Sequence, residues 1–175
     1  MRLFVAVWPS EEVLDAVAAL PRPDVAGLRW TTRDQWHVTL RFLGSVEEDD
    51  LADAVAAVRS ITAPAVDVEL GPSVGRFGTR ILHVPSHGLD EVAAATVAAT
   101  ADAGERPEPR PFRGHLTLAR SRRGDTDLGP LAGTPISGRW HAGDITLVRS
   151  HLGGAGARYE IIERVPLSGT PARPR

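Results

Sequence analysis

The chain has 175 residues, 42% of them hydrophobic, which suffices for one compact core or two small lobes sharing an interface but not for a multi-domain enzyme. Its 20 basic and 22 acidic residues leave a net charge of -2, so no global basic field exists to hold long nucleic acid, and any such contact is expected at an end or a single nucleotide. Cysteine is absent, which excludes disulfides, thiol nucleophiles and thiolate metal sites.

The apolar run Leu3 to Trp8 stops at Pro9 and predicts a buried strand. It is too short for a signal peptide or a spanning helix, so a soluble, cytoplasmic protein is expected. Ser10 before Glu11 and Glu12 reads as an N-cap, opening a helix with Val13, Leu14, Val17 and Leu20 on one side and Pro21 and Pro23 beyond its end. Trp36 to Leu43 alternates, with His37, Thr39 and Arg41 on one face and Val38, Leu40 and Phe42 on the other, and Gly44 closes it. Leu51, Val55 and Val58 stand at helical spacing in the second helix, Leu51 to Val58. Val66 to Leu70 and Arg80 to Val84 predict strands joined by the glycine-rich segment Gly71 to Gly78, and a third helix runs from about Leu89 to Ala103.

The charged, proline-rich stretch Glu105 to Pro111 predicts an exposed loop rather than a linker, and the strand His115 to Arg120 follows it. Arg122, Arg123, Gly124, Asp125 and Asp127 form a polar surface stretch. Asp144 to His151 and Arg158 to Leu167 predict a hairpin around Gly153-Gly154-Ala155-Gly156, with a frayed tail from Ser168 to Arg175. Hairpins mixed with helices that do not strictly alternate predict an α+β fold with mainly antiparallel pairing. No dimer seam is visible, so a monomer is expected.

Two segments carry the chemistry. His37-Val38-Thr39-Leu40 and His115-Leu116-Thr117-Leu118 both read His, apolar, Thr, Leu, and 115 - 37 = 78 residues separate them. That spacing, nearly half the chain, suggests two similar halves. On a strand, each imidazole projects beside its threonine while the apolar residues anchor the other face. Halves facing each other across a pseudo-two-fold axis would form a cleft with two imidazoles and two hydroxyls. One neutral imidazole can take a proton from water and the other, as imidazolium, can give one to a departing sugar oxygen. Hydroxyls and a nearby arginine can hold phosphoryl oxygens as charge builds up. No metal or other cofactor is required.

With both motifs in order, the chain resembles the two-histidine (2H) phosphoesterase superfamily, and within it the RNA 2',3'-cyclic phosphodiesterases, also called 2'-5' RNA ligases. The resemblance extends over Arg2 to Val7, Arg29-Trp30, His37 to Gly44, Phe112 to Arg120, Ser150 and Arg158-Tyr159. It implies a single bilobal domain over residues 1–175, with two small antiparallel sheets lining a central cleft and helices outside. It implies His37 as acid, His115 as base, and Thr39, Thr117 and Arg120 as phosphate-binding residues. The implied substrates are RNA 3' ends carrying a cyclic phosphate, opened to a 2'-phosphate, with 2'-5' ligation as the reverse. Two departures stand out: Gly114 replaces the proline many relatives carry, which is expected to loosen the start of that strand, and His83 replaces an aromatic, commonly tryptophan.

Other candidates have plainer readings. His83 and His87 are four apart, but Pro85 and Gly88 argue against the helix that would make them a metal pair. His141 and His151 read as surface residues. Trp30, Trp36, Phe4 and Trp8 are expected to fill core, with nucleobase stacking as the alternative. Arg120, Arg122 and Arg123 could meet an RNA backbone or form a solvated loop, and no phosphate-binding glycine loop suggests ATP. Two further readings of the whole remain: a phosphodiesterase for a small cyclic or 2'-5' linked nucleotide, and an RNA-end binding module without turnover.

Overall fold

Residues 1–122, 126–153 and 156–169 are described by the structure, a computed structural model, and within them the sequence's hydrophobic periodicity resolves into three helices and ten strands. The first half begins with β1 (Arg2–Val7), α1 (Glu11–Ala18), β2 (Leu28–Trp30), β3 (Val38–Ser45) and α2 (Leu51–Arg59). Then come β4 (Val66–Leu70), β5 (Gly75–Phe77), β6 (Ile81–His87), α3 (Asp90–Ala99) and β7 (His115–Ser121). The chain closes with β8 (Gly138–Ala142), β9 (Asp144–Gly153) and β10 (Gly156–Pro166). The Ser10 hydroxyl accepts from the Val13 amide at the start of α1, and at its end Arg22 donates to the Ala18 and Val17 carbonyls at 2.7 and 2.8 Å, so both termini of this short helix are satisfied.

The strands run antiparallel in the order β10-β9-β1-β3-β7-β6-β4-β8. Two four-stranded halves thus meet where β3 pairs with β7 through Val38 and Leu116. Each half offers one His-x-Thr segment at its inner edge. Leu3, Val5, Val7, Val38 and Leu40 of one half, and Leu82, Val84, Leu116 and Leu118 of the other, pack against Val13, Val17, Ala54, Val58 and Val92 of the helices. The helices therefore cover the outer faces, and the other faces line the cleft. The expected α+β architecture holds, with the two small sheets continuous through the β3–β7 seam.

Several boundaries differ from the periodicity. Strands β2, β5 and β8 carry too few alternating residues to register as strands alone; pairing with β7, β6 and β4 makes them so. Helix α3 stops at Ala99 rather than Ala103, because the chain turns at Gly104, whose φ of +68° suits glycine. Ser168 is not frayed: its amide donates to the Ala63 carbonyl at 2.9 Å and Leu167 is buried. Arg123, Gly124, Asp125, Gly154, Ala155 and the tail from residue 170 lie outside the described residues. Among the described residues no helix is long and apolar enough to cross a membrane.

Candidate active site

Matching irregularities in β3 and β7 decide what faces the cleft. In β3, Ala6 pairs with Thr39 while Val5 pairs with Arg41, so Leu40 is an extra residue. In β7, His83 pairs with Thr117 while Leu82 pairs with Ala119, so Leu118 is extra. A bulge inverts the alternation beyond it. His37, Thr39, His115 and Thr117 precede the bulges and face the cleft as expected. After them Phe42 and Arg120 turn to the open side, both exposed, whereas Arg41 and Ala119 are buried. The expected placement of Arg41 beside His37 and Thr39 is therefore incorrect. Its guanidinium donates to the carbonyls of Thr100, Ala103 and Glu105 behind the sheet, at the end of α3.

The histidines are held alike. His37 lies just before β3 and pairs its Nδ1 with the Gln35 carbonyl at 2.8 Å; His115 opens β7 and pairs its Nδ1 with the Arg113 carbonyl at 2.7 Å. An acceptor at Nδ1 puts the neutral ring's proton there and leaves Nε2 as the reactive nitrogen. Nε2 of His37 lies 3.1 Å from the Thr39 hydroxyl. The two motif strands join at Val38–Leu116, the residues standing between the histidine and the threonine of each motif.

Burial pushes the His37 imidazole down to about 4 and sets His115 below its ordinary value, and the Arg120 charge adds to the depression of both. His37 is walled by Phe4, Trp8 and Tyr159, with ring centroids 4.8, 5.3 and 5.1 Å away. His115 has Phe77 edge-on at 4.9 Å and His83 at 5.4 Å.

His83 is 6% exposed and stacks on Phe77 at 3.9 Å, so it keeps a planar ring at its position despite departing from an aromatic. Burial and the neighbouring His115 hold it near 4. Gly114 does not loosen β7: its carbonyl accepts from the Ser86 amide at 2.9 Å, and a Cβ would stand 2.7 Å from the Ser86 carbonyl. His141 and His151 are surface residues bonded to Asp67 and Glu160. No group of three or more His, Asp or Glu that could hold a metal occurs among the described residues.

Sequence reasoning named His37, Thr39, His115, Thr117 and Arg120, and the structure places the two motifs side by side on the paired strands β3 and β7. It missed the Gln35 and Arg113 carbonyls, although each stands two residues before its histidine, and it missed Phe77 within the glycine-rich segment.

Residues 7–79, including the first motif, match the family described as LigT like Phosphoesterase. A Thermus thermophilus protein named RNA 2',3'-cyclic phosphodiesterase is 29% identical, covering 99% of this chain and 93% of that one. A Geobacillus stearothermophilus protein of the same name is 27% identical over 96% of this chain, which spans 58% of that relative's length. A solved Thermus thermophilus structure superposes on this chain with a TM-score of 0.78 at 27% identity, covering 97% of this chain and 99% of that one. E. coli LigT, solved with 3'-AMP, shares the fold at a TM-score of 0.78 and 24% identity, with 95% and 98% covered.

Proposed function

We propose that this chain opens 2',3'-cyclic phosphates at RNA 3' ends, leaving a 2'-phosphate, with His37 as acid and His115 as base. The observation that carries this is the paired tautomer control: each Nδ1 is engaged by the carbonyl two residues earlier, leaving one Nε2 from each half for proton transfer. Thr39, Thr117 and Arg120 hold the phosphoryl oxygens, where hydrogen bonds strengthen as negative charge accumulates. Arg120 also supplies local positive charge that the chain as a whole lacks.

The division of labour follows from burial. His37, the more depressed of the two, is the stronger acid once protonated, and the anionic phosphodiester offsets the cost of charging it. His115, less depressed, is the stronger base toward water. Water attacks phosphorus in line with the 3' oxygen, His115 takes the water's proton, and His37 delivers one to the leaving 3' oxygen. Ligation is the same sequence reversed, with a 5'-hydroxyl in place of water. The aromatic wall of Phe4, Trp8 and Tyr159 keeps bulk water from competing with that transfer.

The direct test incubates the protein, with EDTA present, with an oligonucleotide ending in a 2',3'-cyclic phosphate. Full activity and a 2'-phosphate product are expected; loss on chelation, or a 3'-phosphate product, overturns the mechanism. Thr39→Val and Thr117→Val are each expected to lower kcat/KM roughly ten- to a hundredfold, the range for a hydrogen bond to a charged group. Steady-state kinetics on the same oligonucleotide check this.

The reactive form carries one proton on two histidines, so it is most populated between their two pKa values. Both lie below the ordinary 6.5, which places the optimum of kcat/KM on the acid side of 6.5. Stability runs the other way. Because the folded state holds His37 and His83 neutral, the unfolded chain binds more protons between pH 6.5 and about 4, and stability declines as pH falls through that window. Thermal melts across the same buffers check the sign.

A further inference from the structure

We propose that the cavity where β4, β6 and β8 meet holds a second RNA strand, gripping the sugar and phosphate that follow a free 5'-hydroxyl. This rests on reading the cleft as a cyclic-phosphodiester site with His115 facing the attacking oxygen. In-line attack places the incoming oxygen and the departing 3' oxygen on opposite sides of phosphorus. The strand that carries the cyclic phosphate therefore lies toward His37, and whatever the incoming oxygen carries extends past His115. Water carries nothing there, whereas a 5'-hydroxyl carries a nucleotide that needs its own support. In that step the 5' oxygen bonds to phosphorus and the bond from phosphorus to the 3' oxygen breaks. His115 takes the hydroxyl proton, and His37 supplies one to the 3' oxygen.

The sheet continues as a floor on that side. Pro85 of β6 stands opposite His115, and its carbonyl accepts from the Gly71 amide, at 2.9 Å, just past the end of β4. Two strand spacings of about 4.8 Å put the Gly71 backbone about 10 Å from that of His115 across the sheet. There a cavity of about 420 Å³ opens, lined by Glu69, Gly71, Pro72, His87, Ser137 and Arg139. Pockets for small organic ligands run from about 300 to 1,000 Å³, so one nucleotide unit fits.

The charged and imidazole side chains of this lining share one face. Glu69 pairs with His87 on one side and with Arg139 on the other, so the three form a row across β6, β4 and β8. Their neighbours Val68 and Leu70 are 0% and 3% exposed, and a Cβ on Gly138, opposite Leu70, would press on Val13 of α1. The core and helices therefore take the other face. His87 is two residues from Pro85 on β6, so the row opens on the same side of the sheet as His115.

Arg139 forms an ion pair with Glu69, and both side chains are exposed, an arrangement that adds little to stability. It does hold the guanidinium at the cavity wall. A phosphodiester can accept two hydrogen bonds from that planar fork and one from the His87 imidazole, while the Glu69 carboxylate can accept from a ribose hydroxyl. One arginine and one imidazole suit a single phosphate, as a chain without a basic track requires.

The test mixes an oligonucleotide ending in a 2',3'-cyclic phosphate with an excess of a second oligonucleotide that has a free 5'-hydroxyl. Initial rates of ligated and hydrolysed product are read from the same reaction, so any misfolded fraction of a variant cancels from their ratio. In Arg139→Ala and in His87→Ala the ratio of ligated to hydrolysed product is expected to fall about tenfold, the scale of one hydrogen bond to a charged group. Arg139→Lys, which keeps the charge but not the fork, is expected to recover part of the loss. An unchanged ratio overturns the site, whether or not total turnover falls. Hydrolysis without any ligated product from the unaltered protein overturns it as well. If the unaltered protein forms neither product, it is the proposed reaction that fails, and this site falls with it.

Discussion

Replacing either His37 or His115 with alanine is expected to lower kcat about a thousandfold, within the range by which a positioned acid or base contributes. Both rings sit at the cleft wall, so alanine removes a reacting group without opening the core behind Val38 and Leu116, and the circular dichroism spectrum stays that of the unaltered protein. The two variants differ in their pH profiles. With His37 gone, the remaining requirement is a neutral His115, so the rate falls only toward low pH. With His115 gone, the remaining requirement is a protonated His37, and the rate falls only toward high pH. The bell of the unaltered protein thus separates into its two limbs. Profiles exchanged between the variants would swap the acid and base assignments; a bell surviving in both would remove the pair from the chemistry.

The repeated His-x-Thr was legible because strand alternation holds over three residues: both histidines and both threonines share the cleft face as spacing alone requires. It stopped being legible one residue later. The extra residues at Leu40 and Leu118 are apolar, as a buried strand residue should be, and no local composition marks them as bulges. Their effect appears in register with β1 and β6, which is long-range information. Strict alternation would have kept Arg41 in the cleft and turned Arg120 away. The family resemblance pointed to Arg120, which the bulge leaves on the open side, but nothing local corrected Arg41. The same reasoning explains Phe77. Its three-residue strand exists only through pairing with β6, and the glycines around it read as a turn. The bulge recurs in both motif strands at the same offset, three residues after the histidine.

Arg41→Ala is expected to destabilise the fold by about 3 kcal/mol while leaving the chemistry intact, since a buried hydrogen bond to a charged group and an orphaned carbonyl each carry a cost of that order. Arg41 is 5% exposed, and it meets the carbonyls of Thr100, Ala103 and Glu105 in the turn that follows α3, next to the negative end of the helix dipole. The next turn is fixed from both sides. The Glu105 amide donates to the Leu43 carbonyl at 2.7 Å, and a Cβ on Gly104 would collide with that same carbonyl oxygen. Arg41 therefore ties the helix end to the back of β3, directly behind Thr39. For a chain of this size the loss amounts to roughly 10 °C in Tm. Arg41→Met fills the space but satisfies no carbonyl, so it recovers only part of the loss. Phe42→Ala, one residue along and 60% exposed, is expected to leave Tm within about 2 °C, as surface truncations do. Below the melting transition, kcat/KM of Arg41→Ala is expected to stay within threefold of the unaltered protein. A large kinetic defect with an unchanged Tm would return Arg41 to the cleft and remove the bulge as the device that sorts these two strands.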